Sequence, residues 1–211
     1  LNGGGGFPNK NKNSSIDDWK NLSKEYYDAS TVVDGVKIPI LWGTDAVHGH
    51  NNVIGATIFP HNIGLGAAKN QKLMKQIGAA VAKEVASTGI IWTFAPTIAV
   101  PQNDLWGRTY EGYSEDASLV SELGKNFIIG LQGENDKFLD KYNVLATAKH
   151  FLGDGGTNNG VDQGDTIIDE SSLKNIHGKP YYDAIDVCAI SVMASFNSWN
   201  GIKSHGNKYL L

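Results

Sequence analysis

The sequence predicts an α/β fold built on a parallel sheet, as part of a (β/α)8 barrel of the TIM type. Three features of the 211 residues support this prediction. Short apolar runs alternate with stretches of helical periodicity, which is the pattern of β/α units. The runs are apolar throughout rather than alternating, as in strands buried on both faces. Polar side chains collect after the apolar runs, where parallel α/β folds carry their sites.

The amino-terminal part is predicted to contain one helix and one strand. Residues 1–12 open with a run of glycines, which suits a loop that follows a strand preceding this chain. Residues 15–27 are predicted to be helical, with acidic residues in the first turn and apolar residues at helical spacing: Ile16, Trp19, Leu22 and Tyr26. An apolar run over 38–45 ends at Asp45, and a long loop over 46–67 follows.

The middle of the chain is predicted to form a helix, a strand and a second helix. Asn70 is the expected N-cap of a helix over 71–87, and Gly89 is the residue expected to end it. Residues 90–100 are apolar and are predicted to form a strand. A helix over 114–131 then buries the apolar residues Leu119, Leu123, Phe127 and Leu131.

The stretch over 144–156 concentrates the polar groups of the last third. It begins as an apolar strand and ends in a glycine-rich turn, and it carries Lys149, His150 and Asp154. A weaker helix is predicted over 171–184, interrupted by Gly-Lys-Pro at 178–180. A further strand is predicted over 189–196.

The strand count bears on whether the sheet is open or closed. No strand is followed by the G-x-G-x-x-G pattern of a dinucleotide-binding open sheet, so a barrel is favoured. Four strands are visible and one more is implied, which makes about five of the eight β/α units. Five strands cannot close a barrel, so we expect residues 1–211 to be part of one domain that continues past Leu211. Alone, this segment would expose strand edges and fold poorly.

The composition excludes several classes of function. The formal net charge is −4 and the lysines are isolated, so nucleic acid is not an expected partner. No apolar run reaches the roughly 20 residues that span a bilayer. The single cysteine, Cys188, excludes an internal disulfide. Asn13 and Asn21 begin Asn-x-Ser patterns, which also arise by chance and slightly favour a secreted, lysosomal or periplasmic glycoprotein.

Polar groups follow four of the predicted strands, and aromatic residues accompany them. The polar groups are Asp45, His48, Arg108, Glu111, Lys149, His150, Asp154 and those at 195–199. The aromatic residues are Trp42, Trp92, Trp106, Phe196 and Trp199. Charged groups hold vicinal hydroxyls, while indole rings stack on the apolar faces of sugars. The combination predicts a polyhydroxylated ligand.

A metal-dependent barrel hydrolase is a less favoured alternative. The spacing Asp45-x-x-His48-x-His50, with Lys149 on a later strand, is similar to the His-x-His metal site of such enzymes. Those sites need further histidines at later strand ends, and residues 193–199 supply none. No metal or other cofactor is therefore predicted.

Several motifs, in a fixed order, resemble glycoside hydrolase family 3. They are Gly-Thr-Asp-Ala-Val-His-Gly (43–49), Ala-Thr-Ile-Phe-Pro-His-Asn (56–62), Phe-Ala-Pro (94–96), Trp-Gly-Arg-x-x-Glu-x-x-Ser-Glu-Asp (106–116), Lys-His-Phe (149–151) and Ser195 to Gly201. The resemblance covers nearly the whole chain and is strongest to the β-glucosidases and exo-acting β-glucan glucohydrolases. It implies a partial N-terminal barrel domain of that family.

The resemblance also implies which residues bind the substrate. Positions matching those that hold the terminal non-reducing glucose, in the −1 subsite, are Asp45, Arg108, Lys149 and His150. Met193 and Phe196 match positions that line the pocket, and Phe196 stands where many relatives carry tyrosine. The Lys149–His150 peptide bond is expected to be cis.

The implied reaction is the hydrolysis of terminal β-D-glucosyl residues by a retaining double displacement, which needs a nucleophilic and an acid/base carboxyl group. No catalytic residue is expected in this chain: the family's nucleophile Asp and acid/base Glu would lie beyond Leu211, the latter in a second α/β domain. Asp154 is expected to support the loop, and Glu111 to pair with a nearby cation. The segment alone should be inactive, and a non-catalytic sugar-binding relative is the alternative reading.

Overall fold

The computed structural model describes residues 6–211. The glycine-rich loop predicted over residues 1–12 therefore lies partly outside the described residues. The helices, in chain order, are α1 (Ile16–Asp28), α2 (Asn62–Ala68), α3 (Gln71–Ser87), α4 (Ala117–Gln132), α5 (Glu170–Ser172) and α6 (Lys179–Asp186). The strands are β1 (Thr31–Val33), β2 (Val36–Ile38), β3 (Gly43–Thr44), β4 (Trp92–Thr93), β5 (Thr147–Phe151), β6 (Asp165–Thr166), β7 (Ser191–Ala194), β8 (Ser198–Trp199) and β9 (Ile202–Lys203).

Four strands lie side by side in chain order and run parallel. β3 pairs with β4, and β5 pairs with β7. Parallel bridges from Trp92 to Leu145 and from Thr97 to Lys149 join β4 to β5. Helix α3 connects β3 to β4, α4 connects β4 to β5, and α5 with α6 connects β5 to β7. The predicted α/β fold with parallel pairing is therefore confirmed.

The two central helices have the predicted positions and caps. Asn70 accepts a hydrogen bond from the backbone N–H of Leu73 at 3.0 Å and begins α3. Gly89, just past its end, has φ +83°, a conformation that glycine adopts without strain. Asp116 caps α4 through the N–H of Ser118 at 2.8 Å. Such caps contribute about 1 kcal/mol each to stability.

Other elements differ from the prediction. The apolar run over 90–100 contains only the two-residue strand β4. Its backbone nevertheless stays hydrogen-bonded to neighbouring segments from Ile91 to Ile98, and Pro96, which has no N–H, interrupts the regular pattern. The hairpin β1–β2 was not predicted, although Asp34 and Gly35 at its turn both have positive φ and form a recognised hairpin signal. The helix expected to break at 178–180 instead runs on through a π-helical segment, Leu173–Gly178, into α6.

The core lies between the sheet and helices α3, α4 and α6. Its buried side chains include Val81, Val85, Leu123, Phe127, Ile128, Leu131, Ala146, Ala148 and Ala184. Helices α3 and α4 approach closely at Gly78 and Gly130, where a Cβ on Gly130 would lie 2.3 Å from the carbonyl oxygen of Lys75. This close contact fixes the helices behind the strands, whose carboxyl ends then carry the polar loops. None of the helices within residues 6–211 has the length and apolar character needed to cross a membrane.

Candidate functional site

A cavity of about 210 Å³ lies where the chain leaves β3, β4 and β5. Because parallel strands end at the same edge of a sheet, residues far apart in sequence meet here. The lining residues are Asp45, Val47, His48, His61, Asn62, Thr97, Arg108, Tyr110, Glu111 and Lys149. The volume is below the roughly 300–1,000 Å³ of drug-sized pockets, which suits a small polar ligand. Of the four residues predicted to bind the sugar, Asp45, Arg108 and Lys149 line this cavity, whereas His150 is not among the lining residues.

Lys149 and Asp45 form an ion pair across the cavity. Lys149 Nζ donates to Asp45 Oδ1 at 2.8 Å; the lysine side chain is 5% exposed and the aspartate side chain 43% exposed. The peptide bond between Lys149 and His150 is cis, as predicted. An ammonium carries three N–H donors, and Asp45 is the one partner that Nζ has among residues 6–211. Two donors therefore remain for a ligand.

Arg108 and Glu111 form a second, bidentate pair. Arg108 Nε donates to Glu111 Oε1 at 2.7 Å, and Nη2 donates to Oε2 at 2.8 Å. A 3₁₀ turn, Thr109–Glu111, brings the two side chains together. Hydrogen bonding to Glu111 raises the pKa of Arg108 above its ordinary value, against the opposing effect of burial. Glu111 is thus the partner of a nearby cation, as expected.

His150 connects Arg108 to Asp154. Arg108 Nη2 lies 3.0 Å from His150 Nε2, and His150 Nδ1 lies 2.7 Å from Asp154 Oδ2. The other oxygen of Asp154 accepts from the N–H of Gly155 at 3.0 Å. Both His150 and Asp154 are buried. These contacts match the supporting role predicted for Asp154.

One wall of the cavity joins His48, which was predicted among the polar groups of the site, to His61 and Tyr110, which were not. The rings of His48 and His61 pack edge to face with centroids 4.7 Å apart, and the ring of Tyr110 packs on His61 at the same distance. Burial, together with repulsion from His61, lowers the pKa of His48, while Glu111 opposes the shift. Asn62 Nδ2 donates to the carbonyl oxygen of Glu111 at 2.7 Å. His61 and Asn62 belong to the motif over 56–62, and this motif is the sequence feature that could have indicated their place at the cavity.

Met193 and Phe196 are not among the residues that line this cavity. Met193 lies on β7 beside Lys149 in the parallel register. Phe196 follows β7 and is 63% exposed, with its ring packed edge to face on His205 at 5.1 Å. Both lie in or just after a strand of the same sheet, but their predicted role at the pocket stays a prediction.

The possible metal ligands do not converge. His50 is fully buried, packs against Trp19, and has its Nε2 3.1 Å from Thr88 Oγ1. Burial lowers the pKa of His50 to about 4. His48 instead lines the cavity. Within residues 6–211, no three His, Cys, Asp or Glu side chains form a group that could hold a metal ion.

The charges of the cavity balance one another. Two cations, Arg108 and Lys149, are paired with two anions, Glu111 and Asp45. Such a cavity has no net charge to attract an acidic or basic ligand. It offers instead charge-assisted donors and acceptors, which hold neutral hydroxyl groups well.

The chain is similar in sequence to one family of glycosidases. A family described as "Glycosyl hydrolase family 3 N terminal domain" matches residues 2–211. A lysosomal beta glucosidase of Dictyostelium discoideum is 34% identical over 179 residues, covering 82% of this chain and 22% of that protein. A periplasmic beta-glucosidase of Salmonella typhimurium is 30% identical over 188 residues, covering 89% of this chain and 24% of that protein.

Solved structures agree with the fold over the same length. The crystal structure of an exo-1,3/1,4-beta-glucanase from a Pseudoalteromonas species has a TM-score of 0.96 and 55% identity, covering 100% of this chain and 27% of that one. A beta-glucosidase from Listeria innocua in complex with glucose has a TM-score of 0.81 and 28% identity, covering 93% and 26%. This chain thus spans about a quarter of the length of these relatives. It belongs to glycosyl hydrolase family 3 and matches the N-terminal domain of that family.

Proposed function

We propose that the whole protein hydrolyses terminal non-reducing β-D-glucosyl residues with retention of configuration, and that this chain supplies the −1 subsite. One observation carries the proposal: the paired charges of Asp45 with Lys149 and of Arg108 with Glu111 surround a small, neutral cavity. The names of the relatives support it, since beta-glucosidases and an exo-1,3/1,4-beta-glucanase are among them. The partner is then a β-glucoside or a β-glucan oligosaccharide.

In this proposal the sugar hydroxyls bind to the charged groups. Lys149 and Arg108 donate hydrogen bonds to sugar oxygens, and the half-exposed carboxylate of Asp45 accepts from a sugar hydroxyl. His150, which the sequence predicted to bind a sugar hydroxyl, has both ring nitrogens occupied by Arg108 and Asp154. It is proposed to support Arg108 at Nη2, the nitrogen that also donates to Glu111. Met193 and Phe196 are proposed to close the pocket from β7 and the loop after it.

The catalytic carboxyl groups are proposed to lie outside residues 1–211. A retaining enzyme needs a free nucleophile and an acid/base group about 5–5.5 Å apart. The two carboxylates that line the cavity, Asp45 and Glu111, are each bound to a cation, which suits a binding role better than proton transfer. The nucleophile would follow a later strand of the same domain, and the acid/base group would come from a second α/β domain of the polypeptide.

We propose that this chain is part of a (β/α)8 barrel, with about five of the eight units. The proposal is supported by the order of the parallel strands β3, β4, β5 and β7, which follows the chain without reversal. A doubly wound open sheet would reverse its strand order at a switch point. The final strands of the barrel would pair beyond β7.

A secreted, lysosomal or periplasmic location is proposed for the protein. One relative is named a lysosomal and another a periplasmic enzyme. Asn13 and Asn21, which begin the acceptor patterns, are both exposed. Nucleic acid is not a proposed partner, because the net charge is −4.

The proposal is tested by incubating the full-length protein with an aryl β-glucoside and recording the first sugar released by proton NMR. The expected product is the β-anomer of glucose, with no release by the 211-residue chain alone. Release of the α-anomer first would contradict the retaining mechanism. Tight glucose binding without any hydrolysis would favour the non-catalytic sugar-binding alternative. Hydrolysis by the isolated chain would contradict the assignment of the catalytic groups.

A further inference from the structure

We propose that Asp154 is a positioning residue. It acts through His150 to hold the Arg108 guanidinium so that its unoccupied nitrogen, Nη1, faces the sugar. The inference rests on the proposed function, because it gives the cavity a sugar ligand. It concerns four side chains that form a continuous row of hydrogen bonds: Glu111, Arg108, His150 and Asp154.

The protonation of the row follows from the chemistry of arginine. A guanidinium has only donors, so His150 Nε2 must accept the hydrogen bond from Arg108 Nη2. The ring proton of a neutral imidazole then lies on Nδ1, which donates to Asp154 Oδ2 at 2.7 Å. Without the carboxylate, the other tautomer would place an N–H of His150 against an N–H of Arg108. Asp154 therefore selects the tautomer that Arg108 can bind.

The row determines which part of Arg108 stays free. Nε and one proton of Nη2 are used by Glu111, and the second proton of Nη2 is used by His150. Both protons of Nη1 remain without a partner among residues 6–211. Since the guanidinium is held through Nε and both protons of Nη2, Nη1 is fixed before any ligand arrives, and less entropy is lost when a sugar oxygen binds.

Asp154 is itself held by the backbone around it. The carbonyl oxygen of Gly155 accepts from the N–H of Gln102 at 2.8 Å, which joins the turn to the loop after β4. A Cβ on Gly155 would lie 2.6 Å from the carbonyl oxygen of Val100, so this turn is packed directly on the chain beyond β4. The carboxylate is thus a fixed reference point for His150.

A nearby carboxylate provides a matched control. Asp162 accepts from Trp106 Nε1 at 3.1 Å. Asp154 and Asp162 both help to raise the pKa of Arg108, yet of these two carboxylates Asp154 is the one that bonds to His150. Replacing Asp162 by asparagine removes a negative charge near Arg108 and leaves the row intact.

The test is a double-mutant cycle in the full-length protein, with glucose affinity measured by titration calorimetry. Asp154→Asn is expected to weaken glucose binding about 10-fold, the effect of a disturbed hydrogen bond to a charged group. The KM for an aryl β-glucoside should rise by a similar factor. In a His150→Ala background the same change should alter affinity less than about twofold, because the two residues act as one unit. Asp162→Asn should stay within about twofold of wild type.

Three results would overturn the inference: unchanged affinity in Asp154→Asn, an equal loss in the His150→Ala background, or an equal loss in Asp162→Asn. If Asp154→Asn does not fold, Asp154→Ser enters the same cycle, since a short hydroxyl suits the turn and lacks the carboxylate. A wild-type protein that binds no glucose would instead contradict the proposed function, and the inference with it.

Discussion

Replacing Lys149 by methionine is the perturbation with the largest expected effect on the proposed site. Methionine keeps an unbranched apolar side chain and removes the ammonium group. The lysine side chain is 5% exposed, and its Nζ lies 2.8 Å from Asp45 Oδ1. The variant therefore loses both the ion pair and the two N–H donors that remain for the sugar.

The size of the effect depends mainly on the lost sugar contacts. Hydrogen bonds to charged groups are each worth about 1.5–3 kcal/mol. Two such bonds give at least about 3 kcal/mol, and each 1.36 kcal/mol is tenfold in rate. The loss of the ion-pair partner of Asp45 adds little to the free-energy cost, because the Asp45 side chain is 43% exposed and can be hydrated. We expect kcat/KM to fall at least about 100-fold.

The assay is steady-state hydrolysis of an aryl β-glucoside by the full-length protein. Lys72→Met is the matched control, since Lys72 is exposed on α3 and is not among the residues that line the cavity. It should keep the wild-type kcat/KM, and both variants should unfold at temperatures close to that of the wild type. If folded Lys149→Met kept kcat/KM within about threefold of wild type, the proposed role of Lys149 would be wrong.

Three further predictions concern stability and binding in the full-length protein. Burial lowers the pKa of His50 to about 4 from 6.5, so the unfolded state takes up a proton first as the pH falls. His50 should contribute about 3 kcal/mol to the decline in stability between pH 6.5 and 4, beside His177, whose pKa burial also lowers to about 4. His50→Gln should make the decline in denaturant titrations shallower by its own share; an unchanged decline would contradict this. Glu111→Gln should weaken glucose binding about 10-fold in calorimetry, because Arg108 loses a charged bidentate partner; unchanged affinity would argue against this. Gly130→Ala should destabilise the protein by about 1–3 kcal/mol through a clash between α3 and α4, while Gly206→Ala, which meets nothing within 4 Å, should not; equal unfolding midpoints would contradict the packing argument.

The elements that were well predicted are those with local signals. Helices α3 and α4 lie close to the predicted ranges, because their apolar residues repeat at helical spacing and their caps are short-range. The predicted strands are longer than the observed ones, because an apolar run does not say how many of its residues keep regular strand pairing; the run over 90–100 stays hydrogen-bonded to its neighbours as far as Ile98 with only two residues in β4. Hairpin β1–β2 had a local signal, the Asp-Gly pair at 34–35, that was overlooked.

The location of the candidate site in the fold could be predicted from the sequence, but the ion pairs between its side chains could not. Asp45 and Arg108 follow β3 and β4, and Lys149 lies within the short strand β5. Their convergence at one sheet edge could therefore be expected. The pairing of Lys149 with Asp45 joins residues 104 positions apart, and no local pattern specifies it. His48 was predicted at the site, but its packing on His61 and Tyr110 was not, because ring packing between loops has no sequence period.

The most direct test of the central claim is a crystal structure of the full-length protein with bound glucose. Glucose is expected in the cavity, with ring hydroxyl oxygens within about 3.2 Å of the Asp45 carboxylate, the Arg108 guanidinium and Lys149 Nζ. Glucose bound elsewhere, with this cavity filled only by water at saturating sugar, would contradict the account.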